Sequence, residues 1–235
     1  MRKVLLNITK VAMVLGTVLS LGLTGVSAQA EIMPGEELEK IEVDAKAKEK
    51  VLVIDVRPTE EYEEGHLPHA INIPFDKLEE NLDKLEDFKE FPIIVYCNTG
   101  KKSAESAQLL LDNDFKDVKD AVGVKEFEYT LVTYASILPA EFIEAAKEGE
   151  ATFIDVRDAK DFEAGSVEGA LNANVDKMEE ILTELPEDKE AEIITFCYSG
   201  NKSATLADFL EKEGYTNVRN SLDGTKENEE LLKAE

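Results

Sequence analysis

The chain has 235 residues, 43% of them hydrophobic, a composition that is typical of an ordered globular protein and excludes a disordered one. Its formal net charge of -25 repels polyanions, so we expect neither nucleic acid nor an anionic lipid surface as a partner. The length that remains beyond the N-terminal segment is ample for two small domains.

The first 30 residues have the pattern of a secretory signal peptide. Arg2 and Lys3 give a basic start, an apolar run follows over residues 11–23, and Ala28-Gln29-Ala30 is a small-residue cleavage pattern. We predict a signal peptide over residues 1–30, cleavage after Ala30 and no stable membrane insertion afterwards. An uncleaved anchor is the alternative, but the apolar run is short for a membrane span. The predicted localisation is therefore exported: secreted, periplasmic or elsewhere in the cell envelope.

Beyond this segment, the apolar patterns predict helices that alternate with strands. In chain order we predict a helix over 34–40, a charged connector over 46–50, a strand over 51–56, a short helix over 59–64 with Thr59 as its N-cap, a turn over 65–70, a strand over 71–73, a helix over 75–85, a strand over 91–96, a helix over 103–112, a strand over 117–122 and a closing helix or irregular segment over 124–130. This alternation predicts an α/β fold with a mainly parallel sheet flanked by helices.

The same pattern recurs 100 residues later without a gap between Ile54 and Val118. Ile54-Asp55-Val56-Arg57 is repeated as Ile154-Asp155-Val156-Arg157, and the following glycine, asparagine and isoleucine positions repeat in register. A repeat of this length indicates a duplication. We therefore predict two similar domains, residues 31–130 and 131–235, joined by a packed apolar connector over 129–136.

The two cysteines of the chain occupy equivalent positions in the repeat, each between a buried strand and a helix. Loop one consists of Cys97, Asn98, Thr99, Gly100, Lys101, Lys102 and Ser103, and loop two of Cys197, Tyr198, Ser199, Gly200, Asn201, Lys202 and Ser203. A loop of this kind directs backbone N–H groups and the positive end of the helix dipole at the sulfur, which favours the thiolate. Because both cysteines lie in the repeated loop, we disfavour a structural disulfide.

Three motifs in this order resemble the rhodanese family: residues 54–57, the turn over residues 65–74 and the loop Cys97-x-x-Gly100-x-Lys102-Ser103. The resemblance covers nearly the whole chain after residue 30, once per repeat. It implies an exported protein with tandem rhodanese-like domains and the activity of a sulfurtransferase, with Cys97 and Cys197 as the catalytic residues. It further implies that each cysteine takes sulfane sulfur from a donor such as thiosulfate as a persulfide and passes it to a thiol or cyanide-like acceptor. The remaining residues of both loops would bind substrate, and no cofactor is implied.

The chain departs from the family pattern at three points. Lys102 and Lys202 stand where single-domain members commonly have Arg, the turn of repeat two lacks His and Pro, and both halves keep the cysteine. Lysine retains the charge but loses the planar fork that grips an oxyanion with two bonds. A non-catalytic binding or persulfide-sensing module therefore stays open as the alternative. A cysteine-dependent phosphatase or arsenate reductase is disfavoured, because those relatives have one more residue in the loop and an Arg.

The lysines also predict a difference in reactivity between the two loops. Loop one carries Lys101 and Lys102, whereas loop two carries Asn201 and Lys202, and nearby cations lower a thiol pKa and attract an anionic donor. We therefore predict that Cys97 is the better sulfur acceptor.

Other polar residues are assigned structural roles. We expect Arg57 to pair with a turn carboxylate such as Glu61 or Glu64, and Ser103 to cap its helix. His66 belongs to the turn, and His69 has no assigned role. Two histidines without a ligand pattern do not predict a metal site, and the sequence has no phosphate-binding glycine motif or hydrolase elbow. The sequence predicts no oligomeric state.

Overall fold

The computed structural model describes residues 30–222. The predicted signal peptide, apart from Ala30, lies outside the described residues, as does the end of the predicted second domain after residue 222. Within the described range, no helix is both long enough and apolar enough to cross a bilayer.

The first half of the chain forms a five-stranded parallel sheet with helices packed against it. The strands lie in the order β1-β5-β4-β2-β3, so that β4 is central. The elements are β1 (Glu31–Met33), α1 (Gly35–Val43), α2 (Ala45–Lys48), β2 (Leu52–Asp55), α3 (Thr59–Glu63), β3 (Ala70–Asn72), two 3₁₀-helices (Phe75–Lys77 and Glu79–Phe88), β4 (Ile93–Tyr96), α4 (Lys101–Asp112) and β5 (Val118–Ala121).

The second half repeats this arrangement, with the strand order β6-β10-β9-β7-β8 and again all neighbours parallel. Its elements are β6 (Ala135–Ile137), α5 (Pro139–Glu148), β7 (Thr152–Asp155), α6 (Ala159–Ala164), β8 (Leu171–Asn172), a 3₁₀-helix (Val175–Thr183), β9 (Ile193–Phe196), α7 (Asn201–Lys212) and β10 (Val218–Ser221). The predicted α/β class with two parallel-sheet units is confirmed. Below, lobe one means the first sheet with its helices, and lobe two the second.

The central strands are buried on both faces, which explains why their apolar runs could be recognised in the sequence. All four residues of β2 and all four of β4 are buried, which suits the continuous apolar runs of a sheet covered on both faces. Leu110 and Ala107 of α4 are fully buried and pack with Ile93 and Val95 of β4 in one hydrophobic cluster. The cysteine loop therefore projects from a rigid strand and enters a helix that is fixed by its own core contacts.

Several local predictions were wrong. Pro58, not Thr59, precedes α3 as its N-cap, and the Thr59 hydroxyl donates instead to Asn72 Oδ1 at 2.9 Å. The charged connector contains the short helix α2, because the Asp44 carboxylate accepts the N–H groups of its first turn. The predicted helix over residues 75–85 is two 3₁₀-helices. Segment 124–130, by contrast, is irregular, which is one of the two forms predicted for it.

The two lobes are joined by ordered contacts at the connector. The Tyr62 hydroxyl of lobe one accepts the Ser136 N–H of β6 at 3.0 Å and donates to the Ala70 carbonyl at 2.8 Å. Val132 in the connector pairs with His66 through two backbone hydrogen bonds of 2.9 Å. The connector is therefore packed against lobe one, as its apolar composition predicted.

Candidate active site

Both cysteines lie where the central strand of a sheet ends. Cys97 follows β4 and Cys197 follows β9, and each loop turns into the first residue of α4 or α7. The turn is made by Gly100 and Gly200, whose φ angles of 83° and 76° fall in the left-handed region that favours glycine. The carboxyl ends of parallel strands are where sites form in open α/β sheets, so the fold places both loops at such an edge.

Cys97 sits in a ring of hydrogen-bond donors. Its side chain is 3% exposed and its Sγ lies 3.4 Å from the Ser103 hydroxyl. Burial raises the pKa of the Cys97 thiol, but hydrogen bonds from the Ser103 hydroxyl and from the N–H groups of Ser103, Thr99 and Gly100 outweigh it, so that the pKa lies below its ordinary value. The arrangement favours a thiolate that is held by fixed donors.

Ser103 does not cap α4, which corrects the sequence prediction. The helix already begins at Lys101, so that Ser103 lies within its first turn and is fully buried. Its hydroxyl faces the sulfur instead. Ser203 occupies the same position in lobe two, with its hydroxyl 3.4 Å from Cys197 Sγ, and Cys197 is likewise 3% exposed.

Within residues 30–222, the hydrogen bonds that brace loop one come from its own half of the chain. The carbonyls of Cys97 and Asn98 accept the N–H groups of Val124 and Lys125, each at 3.0 Å. A Cβ at Gly123 would lie 2.3 Å from the Asn98 carbonyl, so the bracing segment approaches as closely as a glycine permits. The Asn98 amide also donates to Glu61 Oε2 at 2.6 Å.

Loop two is held from the other lobe. The Asn201 amide donates to Glu49 Oε1 at 2.6 Å and to the Ala45 carbonyl at 3.2 Å, both in the α2 region of lobe one. The same amide contacts the Ser199 hydroxyl at 3.0 Å. Lobe one therefore lies against loop two, a contact that the repeat pattern alone did not predict.

The loop lysines are placed differently in the two lobes. Lys101 and Lys102 are exposed, and Lys102 Nζ lies 5.9 Å from the centre of the Phe75 ring. Among residues 30–222, Lys102 forms no ion pair. Lys202 instead pairs with Asp158 Oδ1 at 2.9 Å, and this hydrogen bond raises the pKa of Lys202. Sequence reasoning missed Asp158, although the 100-residue offset places it opposite Pro58 and would have revealed the added carboxylate.

The buried arginine that follows each first core strand pairs with the aspartate two residues before it. Arg57 contacts Asp55 at 2.6 Å, and Arg157 contacts Asp155 at 2.6 Å. The predicted partners of Arg57, Glu61 and Glu64, were therefore wrong. The Asp55 carboxylate already accepts the Arg57 backbone N–H, so the side chain folds back onto it and reaches the Gly65 carbonyl at 2.7 Å. The pair fixes the turn and does not touch the cysteine.

The two histidines are buried in lobe one. His66 stacks on Tyr62 and its Nδ1 lies 2.8 Å from the Tyr62 carbonyl, as expected for a residue of the turn. Burial lowers the pKa of His66 to about 4 and that of His69 to about 3. Burial raises the pKa of the neighbouring Glu42 carboxyl to about 7. Across residues 30–222 no cluster of three His, Cys, Asp or Glu side chains is arranged to hold a metal ion.

Comparison with known proteins identifies the fold family. The family model described as rhodanese-like domain matches residues 39–126 and again residues 138–230, which together are well over half of the chain. The chain belongs to the rhodanese-like domain family. Each rhodanese-like domain contributes one of the cysteine loops described above.

Several curated relatives of the rhodanese-like domains are named as sulfurtransferases. Thiosulfate sulfurtransferase GlpE of Coxiella burnetii is 37% identical over 76 residues, covering 32% of this chain and 69% of the relative. Thiosulfate sulfurtransferase PspE of Escherichia coli is 34% identical over 73 residues, covering 31% of this chain and 70% of the relative. Among solved structures, thiosulfate sulfurtransferase from Pseudomonas aeruginosa is 19% identical, covers 83% of this chain and 41% of its own, and superposes with a TM-score of 0.36. The two curated relatives support membership of a sulfurtransferase family.

Proposed function

We propose that the protein is a sulfurtransferase that moves sulfane sulfur through a cysteine persulfide. In the first half-reaction the thiolate attacks the outer sulfur of thiosulfate, the S–S bond of the donor breaks, and its electron pair leaves with sulfite. In the second half-reaction, a thiolate or cyanide attacks the terminal persulfide sulfur, the S–S bond of the persulfide breaks, and its electron pair returns to the cysteine sulfur. The reaction cycle therefore ends with the thiolate regenerated and one sulfur atom transferred, and no cofactor takes part.

The observation that carries this proposal is the donor ring at Cys97. A persulfide ends in an anionic sulfur, which needs hydrogen-bond donors that are already in place. The Ser103 hydroxyl and the N–H groups of Thr99 and Gly100 supply them, and the left-handed Gly100 allows the backbone to turn toward the sulfur. The relatives named thiosulfate sulfurtransferase support the choice of thiosulfate as donor.

Cys97 is proposed as the more reactive of the two sulfurs. Thiosulfate is a dianion and the protein carries a net charge of -25, so a local unpaired cation matters for its approach. Lys102 is free of carboxylate partners within the described residues, whereas Lys202 is paired with Asp158. Loop one is therefore better suited than loop two to an anionic donor.

The experiment is thiocyanate formation from thiosulfate and cyanide by the purified protein without its first 30 residues. Cys97→Ser is expected to remove most of the activity, Cys197→Ser to leave most of it, and the double variant to have none above the uncatalysed rate. An active double variant would contradict the proposal. A folded wild type that forms no thiocyanate would contradict it too, whereas sulfur that stays on Cys197 while Cys97 turns over favours a second candidate.

That second candidate is a binding or persulfide-holding role for lobe two. It is favoured by the contact of Asn201 with Glu49 and the Ala45 carbonyl, which places lobe one against loop two. A sulfur at Cys197 would then be retained while Cys97 turns over. Titration of each single cysteine variant with donor, followed by release to cyanide, separates retention from turnover.

We further propose that the protein acts outside the cytoplasmic membrane. The support is the basic start, the apolar run and the Ala28-Gln29-Ala30 cleavage pattern. N-terminal sequencing of the exported protein is expected to begin at Glu31, and material from outside the membrane that still begins at Met1 would contradict the cleavage site.

A further inference from the structure

A buried carboxylate lies beneath loop one and is absent from loop two. Asp120 is in β5, is 7% exposed, and its Oδ1 has no hydrogen-bond partner among residues 30–222. Its carboxyl accepts a hydrogen bond from the Ser103 hydroxyl, the same hydroxyl that lies 3.4 Å from Cys97 Sγ. Ser103 therefore stands between the thiol and a buried acid.

Lobe two replaces this acid with an amide. The equivalent residue is Asn220, which is fully buried and donates from Nδ2 to the Gly200 carbonyl at 3.2 Å. Its Oδ1 faces the Thr195 hydroxyl at 3.5 Å, and that hydroxyl donates to the Ser203 carbonyl at 3.1 Å. The network under Cys197 is thus neutral, whereas the network under Cys97 contains a group that can ionise.

Asp120 has few polar neighbours. Its register partners are apolar, Ile32 on β1 and Val95 on β4. On α4, Ser103 and Ser106 are buried, while the charged residues of the same helix turn, Lys101, Lys102 and Glu105, are exposed. The titratable group that shares a hydrogen-bond partner with Asp120 is Cys97.

We propose that Asp120 is a positioning residue of lobe one: its carboxyl and the Cys97 thiol compete for the single hydroxyl proton of Ser103 and therefore titrate as a coupled pair. When Asp120 is protonated, its carboxyl no longer needs the Ser103 proton. The Ser103 hydroxyl then donates to the sulfur, which stabilises the thiolate. When Asp120 is ionised, Ser103 turns to the carboxylate, so the thiolate loses a donor and gains a like charge nearby. Transfer of the proton from sulfur to Ser103 and from Ser103 to the carboxylate leaves a thiolate, a neutral hydroxyl and a neutral acid, so the pair carries one negative charge in either arrangement.

The electrostatic environment supports this pairing. Burial raises the pKa of Asp120, against the smaller opposing effect of the Ser103 hydrogen bond, while the donors around the sulfur lower the pKa of Cys97. The two groups share one hydrogen-bond donor, and groups that interact in this way titrate as a pair. The consequence is that ionisation of the Cys97 thiol depends on a carboxyl group that lobe two replaces with Asn220.

The test measures the rate of alkylation by iodoacetamide, an uncharged reagent, as a function of pH in Cys197→Ser protein, where only Cys97 reacts. Asp120→Asn, which installs the residue of lobe two in a nearly equal volume, is expected to lower the midpoint of the profile by about one pH unit, because a neighbouring negative charge is removed. The reciprocal Asn220→Asp in Cys97→Ser protein is expected to raise the midpoint of Cys197 by a similar amount. Asp83→Asn, at an exposed site in a 3₁₀-helix of lobe one, is the matched control and should leave both midpoints unchanged.

A midpoint in Asp120→Asn that coincides with that of its parent overturns the inference, and so does a change in melting temperature without a change in midpoint, which would indicate a packing role. If Asn220→Asp fails to fold, the Asp120→Asn comparison decides alone. The inference rests on Cys97 as the proposed nucleophile, but the assay contains no sulfur donor. Failure of thiosulfate turnover and failure of the coupled titration are therefore separate results.

Discussion

Loop one and loop two have the same backbone conformation but differ in the side chains that surround them. Both sulfurs are 3% exposed and both lie 3.4 Å from a buried serine hydroxyl. Around loop one the lysines are unpaired within the described residues, and its side-chain contacts come from lobe one itself. Around loop two, Lys202 is paired with a carboxylate and Asn201 is held by lobe one. The two repeats therefore keep the geometry of the sulfur site and differ in the charges and contacts around it.

In this fold the backbone geometry of the cysteine loop and the reactivity of its cysteine are therefore set by different residues. The loop conformation is set by a strand end, a left-handed glycine and a helix start, and these are repeated 100 residues apart. The reactivity of each cysteine depends on residues from neighbouring elements, such as Asp158 and Asp120. These positions carry different residues in the two halves of the chain. Substitutions at those neighbours should change one lobe without disturbing the other.

The largest expected difference between the lobes is in acid stability. Lobe one buries the neutral side chains of His66 and His69, where lobe two has Ser166 and Gly169. Burial lowers the pKa of His66 to about 4 and that of His69 to about 3, below the ordinary value of 6.5. Their contribution to stability is therefore full above that ordinary value and is lost as pH falls toward the lower values, because the unfolded chain binds protons that the folded chain excludes.

At about pH 5 this linkage costs lobe one about 2 kcal/mol per histidine relative to neutral pH. Denaturant unfolding between neutral pH and that value measures the loss, and a double variant, His66→Gln with His69→Gln, is expected to lose correspondingly less over the same interval. The exposed carboxylates titrate in both proteins and cancel in the comparison. Glu42, whose pKa burial raises to about 7, accepts the His69 backbone N–H, a group that the variant keeps, so its opposite contribution is shared as well. Equal losses in wild type and variant would contradict a neutral burial of the two rings.

A smaller difference is expected from the ion pair at loop two. Asp158→Asn frees Lys202, so thiosulfate should react with Cys197 roughly two- to fivefold faster in Cys97→Ser protein, in keeping with the energy of an exposed ion pair. The gain should shrink at high ionic strength, because both partners are exposed and screened. Stopped-flow or quenched persulfide formation measures the rate.

The matched control is Asp208→Asn, which removes a carboxylate from an exposed ion pair with Lys212 near the far end of α7. This variant should leave the Cys197 rate unchanged. A rate increase of the same size in both variants would mean that overall charge, and not the pairing of Lys202, governs the reaction.

The smallest expected effect concerns the contact between lobe one and loop two. Glu49→Ala removes the acceptor of the Asn201 amide and should raise the alkylation rate of Cys197 roughly two- to threefold, the size expected for one partly exposed hydrogen bond. Glu61→Ala removes the corresponding acceptor of Asn98 in loop one and should leave Cys197 unaffected. A slower Cys197 after Glu49→Ala would show that the contact assembles the site and does not restrict it.

The sequence predicted the core of each lobe because the central strands are continuous apolar runs. The runs before Cys97 and Cys197 became β4 and β9, and the offset of 100 residues holds for these strands, for α4 and α7, and for β5 and β10. The edge strands β1 and β6 escaped prediction, because β1 directly follows the predicted cleavage site and β6 overlaps the segment that was predicted as a connector. They also lie outside the gapless repeat, at Glu31–Met33 and Ala135–Ile137.

The sequence also predicted the two cysteine loops, but not the contacts that distinguish them. Arg57 was assigned the wrong carboxylate because a bond that folds back over two residues leaves no spacing signal. The contact of Asn201 with Glu49 joins residues far apart in the chain, so only the packing of the lobes reveals it. Ser103 was assigned to a cap because the start of α4 was placed two residues late.

The account is tested most directly by the intact mass of the protein after incubation with thiosulfate and removal of excess donor, for wild type, Cys97→Ser, Cys197→Ser and the double variant. The account predicts that Cys197→Ser gains the mass of one sulfur atom rapidly, that Cys97→Ser gains it slowly or incompletely, and that cyanide removes it from both. The double variant should gain nothing. Sulfur that accumulates faster on Cys197 than on Cys97 would contradict the assignment of loop one as the more reactive site, and an unchanged mass in all four proteins would contradict a persulfide formed from thiosulfate.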